Sequence, residues 1–180
     1  RTQLVLIDHN EYSQAVRGVE EAEVKIVVDH HRLGGNVVSR EPIHFLNEPV
    51  GSSSTLVARK FRHNDTEITK GIALCLCAGL ISDTLNLTSP TTTGEDRKLL
   101  RWLCEKAGVE ADKFTQDFFA SGSLMLKGSV KEIVNTDRKE FFEGGKSFSI
   151  TQVEEIGLSN FYDRKEEIEK QLIHLSQHKA

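Results

Sequence analysis

Two short apolar runs each end abruptly in an aspartate followed by histidine. Gln3-Leu-Val-Leu-Ile7 gives way to Asp8-His-Asn-Glu11, and Val24-Lys-Ile-Val-Val28 gives way to Asp29-His-His-Arg32. β-branched and aliphatic residues bounded by polar punctuation read as buried strands that stop in loops. The acidic stretch Tyr12 to Glu23 between them is compatible with a helix, which makes a strand-helix-strand unit. A right-handed crossover makes such strands parallel and brings both polar tips to one edge of the sheet. Ligand sites of open α/β sheets form at that carboxyl edge.

The rest of the chain extends this pattern. Ile43-His-Phe-Leu46 predicts a further strand, and Gly51-Ser-Ser-Ser-Thr55 predicts a small-residue loop opening a helix over Leu56 to Arg62, the kind of start that suits phosphate. An apolar helix from about Thr66 to Ile81 is expected to deliver Ser82-Asp83-Thr84. After Ser89-Pro-Thr-Thr-Thr93, the spacing of Thr92 and Glu95 predicts a capping box for a helix that runs to Ala107 and stops at Gly108. From about Phe119 glycines punctuate shorter elements: a helix started by Ser129 with Glu132, a hairpin between Glu140 and Val153, and a last helix with Phe161, Ile168, Leu172 and Leu175 on one face. The expected organisation is an α/β fold, with a parallel-sheet domain over residues 1–118 and the beginning of a smaller α+β domain over 119–180.

Composition narrows the functional classes. With 23 basic and 27 acidic residues the net charge is -4, so nothing draws the chain generally to nucleic acid or anionic lipid, and neither is expected as a partner. Its apolar runs fall short of the roughly 20 residues that cross a bilayer. Three cysteines, Cys75, Cys77 and Cys104, are an odd number, two of them in an apolar stretch; buried free thiols and a cytoplasmic location are expected.

Asp8, His9, Asp29, His30, His31 and Asp83 all fall at the ends of apolar elements, where one sheet edge can gather them. Mixed carboxylate and imidazole donors suit divalent ions such as manganese, cobalt or zinc. Two such ions about 3.5–4 Å apart can hold and deprotonate a water between them, making a nucleophile for phosphoryl transfer. A lone aspartate after a strand is more often a turn former, but two Asp-His tips on consecutive strands, joined by Ser82-Asp83-Thr84, make a set that chance accounts for poorly.

At this point the motifs become specific. Asp29-His-His31 is the motif that names the DHH phosphoesterase superfamily. Leu6-Ile-Asp-His-Asn-Glu11, Glu48-Pro-Val-Gly-Ser52, Gly79-Leu-Ile-Ser-Asp-Thr84 and Ser89-Pro-Thr-Thr-Thr93 resemble family II inorganic pyrophosphatases. The resemblance implies hydrolysis of pyrophosphate by a metal-bridged hydroxide, with two or more Mn2+ or Co2+ ions as cofactors, Mg2+ accompanying substrate, and a homodimer. By the same resemblance Asp8, Asp83 and His30 are metal ligands, His31 contacts substrate phosphate, and Asp29 orients the histidine pair. Asp137-Arg-Lys-Glu-Phe141 resembles a second-domain motif of the family whose lysine reaches phosphate, a role that falls on Lys139. Asn10 and Ser53 are expected near the substrate, and His9 beside a carboxylate. The segment Arg32-Leu-Gly-Gly with Glu41-Pro-Ile resembles a subgroup that carries inserted nucleotide-binding CBS domains.

The resemblance also implies motifs before Asp8 and after residue 180, and the chain opens on Arg1. It is therefore expected to be a piece of a longer enzyme, with little hydrolytic activity by itself. Two rival readings remain: another DHH hydrolase, acting on cyclic dinucleotides, oligonucleotides or polyphosphate, and a non-catalytic regulatory domain of the same fold.

Overall fold

A computed structural model describes residues 2–155 and 157–178, and leaves the side chain of His178, expected at the surface, outside the described set. Contacts divide the chain into two compact units, Arg1–Thr115 and Gln116–Ala180.

In the first unit β1 (Gln3–Ile7), β2 (Glu23–Asp29) and β3 (His44–Asn47) form a parallel sheet in that order. β2 lies in the middle, and its adjacent valines face opposite sides, as the strand period of two requires. Val27 packs with Leu6, Val19 and Val24, whereas Val28 packs with Val50 and Leu56. The parallel arrangement and the mixed α/β class agree with the sequence reading. The connection from β1 to β2 does not: Tyr12–Gln14 and Val19–Glu21 are single 3-10 turns and not an α-helix. Gly18 between them takes φ +85°, a left-handed conformation that ends a right-handed helix.

Three helices follow. α1 (Ser53–His63) starts behind Ser52, whose hydroxyl accepts the Ser54 N–H. α2 (Lys70–Thr84) begins behind Thr69, later than the expected Thr66, and holds Asp83 within its last turn and not after it. Its end is sharp, because Leu85, Asn86 and Leu87 all take positive φ. α3 (Gly94–Ala107) ends on left-handed Gly108 as expected, but its capping box is Thr93 with Asp96 and not Thr92 with Glu95. Thr93 holds the extended backbone a cap needs, while Glu95 turns away to Arg59, 3.3 Å distant. Leu56, Leu80, Ile81 and Leu103, drawn from all three helices, are fully buried. Cys77 and Cys104 meet in this core with sulfurs 3.8 Å apart, but Cys75 is exposed, contrary to expectation.

The second unit takes in the end of α4 (Ala111–Gly122), then α5 (Leu124–Lys127), α6 (Val130–Ile133), β4 (Lys139–Glu143), β5 (Lys146–Ile150) and α7 (Ser159–His178). Ser129 and Glu132 form the anticipated capping box. β4 and β5 are an antiparallel hairpin turned by Gly144 and Gly145, both at positive φ, which a two-residue loop of matching twist demands. Ile168 of α7 packs with Met125, Ile133 and Val134, whereas Leu172, expected on the same apolar face, is 47% exposed.

Candidate metal centre

The carboxyl edge of the parallel sheet brings together Asp8, Asp29, His30 and His31. Ile7 pairs with Val28, so Asp8 and Asp29 arrive side by side where their strands end. Asp8 sits at φ +67°, with its N–H donating to the Val28 carbonyl at 2.9 Å. Aspartate tolerates this conformation better than most residues, and here it aims the carboxylate across the edge.

Asp29 is fully buried and holds the histidine loop together. Its Oδ1 accepts from the His30 N–H at 2.8 Å, the His31 N–H at 3.1 Å and His31 Nδ1 at 2.8 Å. Its Oδ2 accepts from Asn10 Nδ2 at 2.5 Å. Burial would raise the Asp29 pKa, but the hydrogen bonds from Asn10, His31 and the two backbone amides outweigh it and hold the group below the ordinary aspartate value. Asn10 also donates to the Arg32 carbonyl at 2.9 Å and accepts from the Gly34 N–H at 2.7 Å. Both hydrogens of its amide bond inside the protein, so Asn10 ties the two loops together.

His30 is fixed from behind. Its Nδ1 lies 3.0 Å from the Val50 carbonyl; a carbonyl only accepts, so Nδ1 carries the hydrogen and Nε2 is turned outward, 3.4 Å from Asp8 Oδ1. The hydrogen bond from His30, opposed by burial and helped by the Ser53 hydroxyl, lowers the Asp8 pKa. Asp8 raises that of His30 in turn, against burial and with help from the Val50 carbonyl. His31 stacks obliquely on His30 with ring centroids 4.2 Å apart. Asp8, His30 and His31 each present a donor atom within 4.8 Å of the others.

Asp83 approaches from the last turn of α2, its Oδ2 accepting from Ser52 Oγ at 2.6 Å. Burial raises its pKa, Ser52 opposes the rise, and the negative charge of Asp8 adds to it. It stands outside the 4.8 Å group, which holds His31 where the sequence reading placed Asp83 among the ligands. Ser53, expected near substrate, has a buried hydroxyl that completes no hydrogen bond, although it lies near enough to Asp8 to favour the ionised carboxylate. His9, expected to hold a carboxylate, instead turns Nδ1 to the Ile7 carbonyl at 2.9 Å. Lys139 opens β4 in the second unit, exposed, with Nζ 3.6 Å from Asp137.

These residues fit a divalent cation. Imidazole and carboxylate donors converge, His30 has its tautomer set by a carbonyl, and the helix end behind Asp83 adds partial negative charge. The carboxylates repel one another, which a cation relieves.

Sequence reasoning missed Asp96. It is fully buried and accepts from Gly51 N at 2.9 Å, Thr55 Oγ1 at 2.5 Å, and Thr93 N and Oγ1, each at 2.6 Å. The polar run Thr91-Thr-Thr-Gly-Glu-Asp96 contains the signal, read one residue out of register.

Comparison with known proteins follows the same lines. Residues 1–80 match the DHH family, N-terminal domain. A cobalt-dependent inorganic pyrophosphatase of Clostridium perfringens is 38% identical over 93% of this chain and 30% of its own length. A manganese-dependent inorganic pyrophosphatase of Bacillus subtilis is 35% identical over 92% of this chain and 53% of its own. A crystal structure of a Methanococcus jannaschii protein described as a family II inorganic pyrophosphatase superposes with a TM-score of 0.72 at 34% identity, covering 94% of this chain and 58% of that one. The chain thus spans about half the length of most of these relatives, and less than a third of the clostridial one.

Proposed function

We propose that this chain, whose residues 1–80 match the DHH family, N-terminal domain, forms part of an enzyme hydrolysing inorganic pyrophosphate to two orthophosphates. The observation that carries the proposal is the convergence of Asp8, His30 and His31 at the sheet edge, in a chain whose relatives are named manganese- and cobalt-dependent pyrophosphatases.

In this reading Asp8, His30 and Asp83 hold Mn2+ or Co2+. A cation bound there supplies Lewis-acid charge that acidifies water and offsets the charge of the phosphoryl group. The chain's own contribution is placement. Asp29 holds the His31 ring by its Nδ1, so Nε2 stays free to meet a phosphate oxygen. Ser52 steadies Asp83 through its hydroxyl. Lys139, assigned from its motif in the second unit, binds phosphate. We also assign residues 1–118 to the metal-carrying domain and 119–180 to a domain that closes on substrate, in a homodimer. Three unbridged thiols suit a reducing cytoplasm. Among the described residues no helix is long and apolar enough to cross a membrane.

The test is orthophosphate release by the gene product that carries this chain, with Mn2+ added, beside Asp83→Ala. Release from pyrophosphate that is lost in Asp83→Ala supports the proposal. Hydrolysis of a dinucleotide with pyrophosphate untouched moves the chain to another branch of the same superfamily.

A further inference from the structure

The peptide joining Val50 to Gly51 is gripped at both ends. Its carbonyl accepts the Nδ1 hydrogen of His30 at 3.0 Å, and its N–H donates to Asp96 Oδ2 at 2.9 Å. The bond is trans, so the two groups point in opposite directions from one rigid plane. Asp96 and His30 are thus coupled through a single amide, although they lie far apart in sequence. A carboxylate on the N–H side draws electron density toward the carbonyl, which strengthens that carbonyl as an acceptor for the imidazole.

From this we infer that Asp96 is a positioning residue for the cation site: through the Val50–Gly51 peptide it fixes the ring and basicity of His30, and through the same loop the Ser52 hydroxyl that holds Asp83. The inference rests on the metal-site reading above. Several features support it beyond the bare hydrogen bond. Asp96 is fully buried, so its charge is not dispersed by water. It grips Thr55 in the first turn of α1 as well as Gly51, which anchors the loop on both sides of Ser52 and Ser53. Close approach is built in, since a Cβ at Gly51 would stand 2.9 Å from Asp96 Oδ2. Capping α3 alone requires only the bonds to Thr93; those to Gly51 and Thr55 have no part in it.

The test compares Asp96→Ala and the milder Asp96→Asn with Thr69→Ala, which removes the α2 cap hydrogen bond at the helix end away from Asp83. Two quantities are read below the melting temperature of every variant. The first is the proton resonance of the His30 Nδ1–H in the metal-free chain, expected downfield and slow to exchange in the wild type. The second is Mn2+ affinity by electron paramagnetic resonance. Expected for Asp96→Ala is loss or an upfield shift of that resonance and Mn2+ binding weaker by about tenfold or more, the scale on which partners of metal ligands act. Asp96→Asn should fall between, and Thr69→Ala should change the melting temperature and neither readout. Wild-type affinity in Asp96→Ala, or losses that merely track melting temperature across all three variants, would overturn the inference and leave the site reading standing. A wild-type chain that takes up no Mn2+ would overturn both.

Discussion

His30 Nε2 lies 3.4 Å from Asp8 Oδ1, although the two residues follow different strands. The pairing exists because β1 and β2 are parallel and end at the same level, with Ile7 opposite Val28. Removing either partner should therefore damage one function and spare the fold. Asp8→Asn and His30→Ala are each expected to weaken Mn2+ binding by tenfold or more, with circular dichroism unchanged, because neither side chain belongs to the apolar core. Isothermal titration with Mn2+ checks this.

Asp29 differs in kind. Its carboxylate accepts four hydrogen bonds in a fully buried position. Asp29→Ala leaves those donors without partners and should destabilise the chain by about 3–5 kcal/mol. Asp29→Asn keeps the shape but loses the charge, and should cost less. Urea unfolding monitored at Trp102 gives both values.

The Asp96 carboxyl is held below its ordinary value of 3.8: burial would raise it, and the hydrogen bonds from Thr55, Thr93 and Gly51 overcome that. A depressed acid binds protons less well in the folded state than in the unfolded one. Its stabilisation is therefore complete above the unfolded value and is lost as pH falls through the folded one. The melting temperature of Asp96→Asn should lie below that of wild type near pH 6, and the gap should narrow as pH falls below the ordinary value of 3.8. A gap that stays constant with pH would contradict the assignment.

A Cβ at Gly51 would also meet Thr84 Cγ2 at 2.6 Å. Both neighbours are buried and held by hydrogen bonds, so neither gives way cheaply. Gly51→Ala should cost about 1–3 kcal/mol and weaken Mn2+ binding as the loop shifts. Gly71→Ala in the first turn of α2, where a Cβ meets nothing within 4 Å, should be neutral or stabilising by up to about 1 kcal/mol. Thermal melts of the pair separate crowding from any general effect of replacing glycine.

Much of the architecture was legible because its causes are local. β1 and β2 are written as apolar runs that stop at aspartate, and the end of α3 at Gly108 and the Ser129–Glu132 box follow from backbone sterics and short-range hydrogen bonds. The errors have equally local causes. Acidic residues in Tyr12 to Glu23 suggested a helix that Gly18 forbids. Two overlapping Thr-x-x-acid pairs lie at the start of α3, and the fold takes Thr93, whose backbone is extended, with the buried Asp96, while Glu95 goes to Arg59. Cys75 and Cys77 look alike in an apolar stretch, yet one is exposed and one is in the core, because α2 is apolar on more faces than it buries.

The sequence by itself determined that acid and imidazole groups stand at strand ends, since strand propensity and turn chemistry act over a few residues. Only the tertiary structure decided which partners each group meets there. Asn10 spends its amide on the protein's own loops, His31 joins Asp8 and His30 while Asp83 stands outside that group, and Asp96 reaches the Val50–Gly51 peptide. Those outcomes depend on which buried hydrogen-bonding groups find partners across the packed elements, and spacing along the chain does not encode them.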